Sequence, residues 1–577
     1  MTPLAALALI AVPGLPLALA GALAVPPLRR SALALAPWAA LPALLVAAAG
    51  WPVEPLRLPW LLLGTELGLD TTRRVFLLLT GGLWLAAGLS AAAYHRDDPR
   101  KVRLFAFHLV TLAGNLGLVV ALDAASFYLF FITMSLAAFG LVVHVDTAEA
   151  RRAGLVYLAL VILGEALILP GLWLAAAAAP SLRLADVAAA VAQQGPGVVL
   201  LLAAGFGVKA GVLPLHVWLP LAHPVAPTPA SAVLSGSMIK AGLLAWLVFL
   251  PFGGGASPGF AALFIVLGLA AAFYGAAVGV LQSRPKTVLA YSSISQMGLI
   301  TVAAGIGFTH PDIWPLAATA VLAYALHHAL AKGALFLGVA VVENAADAAT
   351  RRRALLLLLL PALALAGAPL TSGIVAKTIL KEAAYRLEPA WRDPVDLLLP
   401  LAAVGTTLLM ARFLWLMTQT GSHGARPGLW PSWLGLLLAV ALVSWLPIVA
   451  EPEIVALGFA PGALGGGTWP LALGILAAAL VLWLRRSGRA LPRPAVPEGD
   501  LLWPVVRLGR AVWRQRPAQL PERLARGRAS LGARLERAEA GAVRLLARGE
   551  RALAAWPAVA GTVLATLLVL VLVLAMG

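Results

Sequence analysis

The chain has 577 residues, of which 61% are hydrophobic and 12% charged, and its mean hydropathy is +0.92. This composition excludes an ordinary soluble domain and indicates a membrane protein. The sequence contains no cysteine, which excludes disulfides, thiolate zinc sites and cysteine-ligated iron–sulfur clusters. The net charge is +17, but most of the excess lies in loops and in residues 485–551, where it marks membrane topology rather than nucleic-acid binding.

Apolar stretches long enough to cross a bilayer as a helix recur along the whole chain. Hydropathy predicts about sixteen such spans. The N-terminus lacks a basic region, so its apolar stretch is interpreted as a first span and not as a cleaved signal. The predicted spans are 4–26, 32–50, 74–94, 103–121, 124–145, 153–177, 196–220, 226–251, 258–282, 287–307, 314–342, 354–380, 395–418, 430–450, 468–485 and 556–576.

The connections between the predicted spans alternate in charge. Acidic or neutral connections carry Asp123, Asp312, Glu388, Asp393, Asp396, Glu451 and Glu453. The connections of the other parity carry Arg29, Arg30, Arg96, Arg100, Lys101, Arg151, Arg152, Arg284, Lys286, Arg351, Arg352, Arg353 and Arg426. The pair Arg73–Arg74 is the exception. The positive-inside rule predicts a multi-pass protein of a bacterial inner membrane, with both termini on the non-cytoplasmic side.

The segment 486–555 differs from the rest of the chain. Leucines and valines such as Leu524, Leu531 and Leu546 form one stripe, with arginine and glutamate opposite. This pattern predicts an amphipathic lateral helix along the membrane surface or along partner helices. A disordered basic linker is the alternative, because three glycines weaken the helix prediction. The final span, 556–577, is predicted to anchor the chain in the membrane again.

Ionisable residues recur inside the central spans. A charge at bilayer depth costs about 2.5–3.5 kcal/mol on insertion scales, so such residues usually serve a function. Lysine, histidine and glutamate can each take up and release a proton, which a proton relay requires. Lys381 lies near a span end beside Glu382, where snorkelling to the surface is an equal alternative. The predicted proton path comprises Glu165, Lys209, Lys240, His327, His328, Lys332 and Lys377.

Two helix breaks accompany these lysines. "GVLPLHVWLPLAHPVAPTP" follows Lys209, and "LALAGAPLTSG" precedes Lys377. Proline removes a backbone donor, and freed carbonyls at bilayer depth are tolerated only inside protein or beside water. The breaks lie about five spans apart, so two five-helix repeats would run with inverted topology, as in transporters. The predicted broken-helix and gating residues are His216, Pro214, Pro220, Pro227, Pro229 and Pro369.

The remaining histidines give weaker signals. His216 either gates water entry or hydrogen-bonds freed carbonyls, and His223 is interpreted as structural. His108 and His144 are interpreted as residues at span ends. The sequence predicts no metal site, no cofactor site and no hydrolytic arrangement of serine, histidine and aspartate.

Four motifs of this sequence resemble those of the antiporter-like membrane subunits shared by respiratory complex I, Mrp-type cation/proton antiporters and membrane-bound hydrogenases. They are "VKAGVLPLHVWLPLAHPVAPTPASAVLSG", "PKTVLAYSSISQMGLI", "HHALAKGALFLG" and "PLTSGIVAK", which occur in this order within about residues 100 to 380. "SGSMIKAGL" is similar to the hydrogenase and Mrp D-type branch. The tail resembles the lateral helix and anchor of some members.

The resemblance implies roles for individual residues. Lys209 matches the central lysine of the first broken helix, and Lys240 matches the lysine or histidine of the next helix. His328 and Lys332 match the residues that connect the two half-channels, and Lys377 matches the terminal lysine or glutamate. In the family these groups form a hydrated axis along which protons are thought to move.

One family residue is missing. The family usually has a glutamate in the fifth span that partners the central lysine, whereas this sequence has Ile132 at that position. Isoleucine carries no proton and no charge. Glu165, one helix later, is the candidate substitute.

The sequence therefore predicts an all-α polytopic subunit that moves protons, with sodium as the alternative ion, within a larger membrane complex. Any redox reaction would belong to partner subunits. The alternatives are a non-conducting scaffold for a soluble partner and a self-standing secondary transporter. The predicted units are N-terminal spans at 1–100, repeats at 101–252 and 253–420, further spans at 421–485, the lateral helix at 486–555 and the anchor at 556–577.

Overall fold

The computed structural model describes residues 2–49, 54–255, 257–422, 424–426, 428–443, 452–487 and 496–499. Over these residues the chain is almost entirely α-helical. The first helices are α1 (Pro3–Ala24), α2 (Arg29–Leu35), α3 (Leu41–Ala48), α4 (Thr71–Tyr94), α5 (Lys101–Val120), α6 (Ala124–Val142), α7 (Ala148–Ala178), α8 (Leu184–Gln193), α9 (Pro196–Ala210), α10 (Trp218–Val225) and α11 (Thr228–Val233).

The second half continues the helical pattern. Its helices are α12 (Ile239–Phe249), α13 (Pro258–Gly279), α14 (Pro285–Ile306), α15 (Trp314–Glu343), α16 (Ala348–Leu357), α17 (Leu359–Ala366), α18 (Ser372–Tyr385), α19 (Pro389–Gln419), α20 (Leu429–Leu442), α21 (Pro452–Leu457) and α22 (Pro461–Arg486). A π-helical turn, Leu234–Met238, joins α11 to α12, and 3-10 turns occupy Ala36–Trp38 and Pro311–Ile313.

Twelve helical stretches within the described residues are long and apolar enough to cross a membrane. They agree with twelve of the predicted spans. The predicted spans 196–220 and 354–380 are each divided by a break, and the span 430–450 corresponds to the shorter helix α20. The final span, 556–576, lies outside the described residues. The protein is therefore a polytopic helical membrane protein, as the sequence predicts.

Polar residues at the span ends set where several helices begin. Asp70, Asp123 and Thr147 each accept a hydrogen bond from the backbone N–H three residues later, at the first turns of α4, α6 and α7. Such a cap satisfies one of the free N–H groups at a helix start. The capping side chains therefore fix the ends of the spans, which hydropathy alone leaves uncertain.

Helices α14 and α15 form the centre of the bundle. Every residue of their most apolar stretches is buried, whereas α1 and α22 are mostly exposed on the outside. Small residues allow close packing around this centre. A Cβ added to Gly268 of α13 would lie 2.6 Å from the backbone oxygen of Gly298 on α14. Backbones approach this closely only where a side chain is absent.

The basic connections meet at one end of the bundle. Arg284 Nη1 lies 2.6 Å from Glu149 Oε1, which links the α13–α14 connection to the start of α7. Arg100 Nη1 lies 3.6 Å from Asp146 Oδ2, and Arg426 donates to the backbone oxygen of Tyr94. We call this end, formed by the α4–α5, α6–α7 and α13–α14 connections, the basic end.

The opposite end carries a short hairpin that the sequence analysis missed. Strand β1 (Leu56–Leu58) pairs antiparallel with β2 (Thr65–Leu67). The exceptional Arg73 lies at this end and is buried. Its Nη1 donates to the backbone oxygen of Val119, and its Nε lies 3.3 Å from Asp70. These partners explain why an arginine occurs on the acidic side of the charge pattern.

Most of the predicted lateral helix and all of the anchor lie outside the described residues. Of the segment 486–555, the structure describes residues 486–487 and 496–499. Glu498 accepts a hydrogen bond of 2.8 Å from Thr287 Oγ1 and lies 3.7 Å from Arg284. This part of the segment therefore packs at the basic end.

Candidate functional site

The first helix break lies between α9 and α10. Gly211 follows the last residue of α9, and its φ of 71° is in the left-handed region that favours glycine. Pro214 lies in the irregular stretch that follows. The backbone oxygen of Val208 accepts a hydrogen bond of 2.9 Å from Trp218 Nε1. A side chain of the next helix thus adds a hydrogen bond to a carbonyl at the end of α9, which also accepts from the Gly211 N–H at 3.2 Å.

Lys209 lies in the last turn before this break. Its side chain is buried, and Nζ donates to the hydroxyl of Tyr157 on α7 at 3.0 Å. The ammonium group also lies 5.4 Å from the centre of the Tyr157 ring and 5.9 Å from that of Trp218. Tyr157 in turn donates to the backbone oxygen of Ser135 on α6 at 2.7 Å. The hydrogen-bond partner of Lys209 is therefore a phenol and not a carboxylate.

Glu165 shares a cavity with Lys209. The two side chains line a space of about 10 Å³, close to what one water molecule needs. Glu165 is half-buried, and its Oε2 has no hydrogen-bond partner among the described residues. Phe131 and Ser135 line the same cavity from α6, whereas Ile132 does not. A carboxylate of α7 therefore lines the same cavity as Lys209.

Lys240 is fully buried just after the π-helical turn. Its Nζ donates to the backbone oxygen of Ser235 at 2.9 Å and lies 2.8 Å from His328 Nδ1 on α15. The π-turn leaves the Ser235 oxygen outside the regular helical ladder, where the lysine can reach it. Lys240 and His328 thus connect two helices through the buried centre.

Lys332 lies one helical turn after His328 on α15. It is fully buried, and Nζ donates to the backbone oxygen of Leu289 at 2.7 Å and to Ser292 Oγ at 2.6 Å. On the same turn of α14, Ser293 Oγ donates to the Leu289 oxygen and lies 2.6 Å from Ser235 Oγ. Hydroxyl and carbonyl groups of α14 therefore join the surroundings of Lys332 to those of Lys240.

The second break lies between α17 and α18. Gly367 follows the last residue of α17 with a φ of 84°, and Pro369 lies in the irregular stretch after it. Lys377 of α18 reaches back across the break. Its Nζ donates to the backbone oxygen of Ala366 at 2.6 Å and to that of Leu365 at 3.3 Å. A cation at the carbonyl end of a helix is favoured by the helix dipole.

His327 connects the bundle centre to this second break. Its Nδ1 lies 2.7 Å from the hydroxyl of Ser372, the first residue of α18. Nearby, the Tyr324 hydroxyl donates to Gln296 Oε1 at 2.9 Å, and Gln296 Nε2 donates to Thr406 Oγ1 at 2.9 Å. Polar side chains of four helices therefore fill the space between α15 and α18.

Lys377 faces a larger cavity. This cavity has a volume of about 400 Å³ and is also lined by Gly367, Lys381, Glu382 and Tyr385. Lys381, at its rim, is partly exposed and lies 3.2 Å from Asp396. The cavity therefore lies beside the second break and along α18.

The predicted proton-path residues lie on helices that pack against one another in turn: α7 against α9, α9 against α12, the π-turn before α12 against α15, and α15 against α18. We call Glu165, Lys209, Lys240, His328, Lys332, His327 and Lys377 the polar axis. The axis runs from α7 through α9, α12 and α15 to α18.

The other predicted residues have different positions. His216 is buried in the first break, with its ring 5.2 Å from that of Tyr274, and His223 is buried against Phe336. Pro220 and Pro229 lie in the first turns of α10 and α11, where proline fits without breaking a helix. Pro227 is the extended residue that separates α10 from α11.

Of the two histidines predicted at span ends, only His144 lies at one. His108 lies inside α5, buried against Trp84 and Phe105, so its placement at a span end was wrong. His144 does follow the end of α6. The apolar sequence around His108 gave no sign of the turn at which it would lie.

Several polar residues of the site escaped the sequence analysis. Tyr157, Ser235, Ser292 and Ser293 hydrogen-bond to lysines of the axis or to one another. Single hydroxyl residues are common in apolar helices and carry little signal alone. Their only local sign was the cluster "SSIS" at 292–295, which places several hydroxyls on a single buried helix.

Comparison with known proteins bears on the same part of the chain. Residues 121–392 match the family model described as NADH:quinone oxidoreductase/Mrp antiporter, transmembrane region. This range contains the whole polar axis and both helix breaks.

Two relatives extend the match. Hydrogenase-4 component B of Escherichia coli K12 is 30% identical over 288 residues, which cover 48% of this chain and 43% of that protein. An uncharacterized protein of Mycobacterium tuberculosis is 31% identical over 373 residues, which cover 61% of this chain and 58% of that protein. The chain thus spans about half the length of these relatives.

A solved structure has the same architecture. A chain of the Mrp complex from Dietzia sp. DQ12-45-1b aligns with a TM-score of 0.70 and 22% identity, over 94% of this chain and 63% of that chain. This likeness concerns the fold.

Proposed function

We propose that this chain, which belongs to the antiporter-like membrane subunit family matched by its residues 121–392, moves protons along the polar axis as one subunit of a larger complex. The observation that carries the proposal is the fully buried contact of 2.8 Å between Lys240 and His328. Basic groups at such depth are costly to insert and are retained mainly where they serve transport.

The surroundings of Lys240 suit proton exchange. Its two partners are a backbone carbonyl and an imidazole, and neither carries a fixed negative charge. Without a carboxylate to hold it charged, a buried lysine changes protonation readily. His328 can accept the proton that Lys240 releases, and Lys332 lies one turn further along the same helix. These three groups are the proposed central relay.

Glu165 is the proposed counter-charge of the first half. It takes the place of the glutamate that Ile132 does not supply, because it lines the same cavity as Lys209. Glu165→Gln keeps the size of the side chain and removes its charge. We expect this variant to lose about tenfold in proton flux, the scale of one proton-transfer group. Full flux in Glu165→Gln would remove this residue from the path.

Partner subunits are proposed to supply the energy. The relatives named for hydrogenase-4 and the Mrp complex are components of larger assemblies. Sodium remains the alternative ion for the same path. A redox reaction, where the assembly has one, would belong to the partners.

The test is proton flux through the native complex reconstituted into vesicles, followed with a pH-sensitive dye. Lys240→Ala is expected to reduce flux about tenfold or more, because the relay loses its central donor. Lys381→Ala is the matched control, since that lysine is partly exposed and paired with Asp396. Its flux is expected to stay within about twofold of the unmodified complex. Equal flux in the unmodified and Lys240→Ala complexes would overturn the proposal.

A non-conducting scaffold is the second candidate, and the absence of the fifth-span glutamate at Ile132 favours it. A scaffold would tolerate loss of Lys209 without loss of flux. A self-standing transporter would be recovered as an active protein without partners after purification in mild detergent. Co-purification of other membrane subunits is the outcome that the proposal expects.

A further inference from the structure

Three ligand-type side chains converge at the basic end, away from the polar axis. His95 follows the last residue of α4, Asp98 lies in the α4–α5 connection, and His144 follows α6. Asp98 Oδ2 lies 2.8 Å from His95 Nδ1 and 2.8 Å from His144 Nε2. Each of the three side chains offers one possible metal-ligand atom, and these three atoms lie within 4.8 Å of one another.

Backbone and arginine contacts hold this cluster in place. The N–H of Arg100 donates to Asp98 Oδ1 at 2.8 Å, which leaves Oδ2 directed at the two imidazoles. Arg103 donates to the backbone oxygen of His144 at 3.0 Å and so fixes the α6–α7 connection against α5. Two separate connections are thereby held with their ligand atoms facing each other.

We propose that His95, Asp98 and His144 form a binding site for a divalent transition-metal ion of the zinc class. Zinc binds imidazole nitrogen at about 2.0–2.1 Å and carboxylate oxygen at about 2.0–2.2 Å, and it accepts three protein ligands with a fourth position open. Ligand atoms around such a tetrahedral ion are about 3.3 Å apart. The Asp98 oxygen therefore needs to move by about half an ångström from each imidazole, and the two imidazole nitrogens, which lie within 4.8 Å of each other, need to come to about the same 3.3 Å separation.

The exposure of the three side chains fits a site that an ion enters from one side. His95 and His144 are 7% and 2% exposed, whereas the Asp98 side chain is 18% exposed. An ion can therefore enter past the carboxylate, which also supplies the negative charge. The bound ion would join α4 and α6 at the basic end without touching the polar axis.

The surrounding charges select among metal ions. Arg100, Arg103 and Arg426 lie around the cluster and oppose any cation by Coulomb repulsion. Magnesium and calcium rely on several oxygen ligands, and this cluster offers one carboxylate. Imidazole nitrogen favours zinc, copper and nickel, and it compensates for the repulsion through stronger bonds. The arrangement thus excludes the hard cations.

The competing interpretation is a hydrogen-bonded triad without an ion. Both imidazoles would then donate to Asp98 and only tie the two connections together. Zinc binding distinguishes the two interpretations directly.

The experiment measures zinc bound per chain in the native complex, purified in detergent through a tag that contains no histidine. A chelator first removes any bound metal from the complex. We expect the unmodified complex to bind one Zn²⁺ more per chain than the Asp98→Asn complex. The zinc-binding constant of the His144→Gln complex should be about tenfold or more below that of the unmodified complex. The matched control is His310→Gln, because His310 lies 3.4 Å from Asp312 in an exposed histidine–aspartate pair. Zinc binding equal in the unmodified, Asp98→Asn and His144→Gln complexes would overturn the proposal.

A second measurement needs no variant. Cobalt replaces zinc in tetrahedral sites with nitrogen and oxygen ligands and gives visible absorption there. We expect this absorption when Co²⁺ is added to the stripped complex and its loss when Zn²⁺ follows. Absence of a Co²⁺ spectrum, with the complex intact by size-exclusion chromatography, would establish the ion-free triad instead.

Discussion

The two helix breaks of this chain hold their lysines in opposite ways. Lys209 precedes the first break and donates to a phenol beside a cavity of about 10 Å³. Lys377 follows the second break, reaches back to the carbonyl end of α17, and faces a cavity of about 400 Å³. Each break ends its first half-helix with a left-handed glycine, so the local chain geometry is similar while the surroundings differ.

The two breaks differ in the room that they leave for water beside the polar axis. The space beside Lys209 admits about one water molecule, so protons there would pass between side chains. The cavity beside Lys377, at about 400 Å³, has room for many water molecules. In the described structure the second break is therefore the roomier of the two.

The largest expected effect is a contrast in chemical access. The chain contains no cysteine, so single cysteines report on their own positions. We expect Lys377→Cys to react with a water-soluble thiol reagent about tenfold or more faster than Lys209→Cys, because only the former faces a large cavity. Labelling followed by mass spectrometry measures both rates. Equal rates would remove the distinction between the two breaks.

A smaller effect is expected when the glycines are changed. Alanine in place of Gly367 is strained by a φ of 84°, and its Cβ would lie 2.7 Å from Lys377 Nζ. Alanine in place of Gly211 is strained by a φ of 71°, but its Cβ would meet the flexible end of Leu219. Backbone strain costs each variant about 1 kcal/mol.

Proton flux should therefore fall further in Gly367→Ala than in Gly211→Ala, because only the first displaces an ammonium group of the axis. Thermal unfolding of both complexes controls for the shared strain. A greater loss in Gly211→Ala at equal stability would reverse the assignment of the two glycines.

The smallest effect concerns Tyr157. Tyr157→Phe removes the hydroxyl that accepts from Lys209 and donates to Ser135, and it preserves the ring. Loss of one such hydrogen bond corresponds to about 1 kcal/mol, or about fivefold in flux. The variant should leave thiol labelling of Lys377→Cys unchanged, since that site lies at the other break. A change there would indicate that the two breaks are coupled through the bundle.

Part of this site could be predicted from the sequence because insertion cost is a local property. Lysines and histidines in apolar stretches stand out by residue type alone, as do glycine and proline at the breaks. The pairing of Lys240 with His328 could not be predicted in the same way, because it depends on how α12 and α15 pack across 88 residues of sequence. Glu165 was predicted as a substitute, and its cavity is shared with Lys209.

Elements without a strong local pattern were missed. The hairpin of β1 and β2 has three residues in each strand, too few for an alternating pattern to emerge. Pro227 separates two helices, whereas Pro220 and Pro229 lie in first helical turns, because proline breaks a helix in its interior and starts one in its first turn. Only the position of the helix start distinguishes these cases.

Proton flux through the Lys209→Ala complex tests the central claim most directly. The account predicts a loss of about tenfold or more relative to the unmodified complex, with subunit composition and thermal stability preserved. This result would establish that the first half conducts even though Ile132 replaces the usual glutamate. Undiminished flux in an intact Lys209→Ala complex would contradict the account and identify this half of the chain as a scaffold.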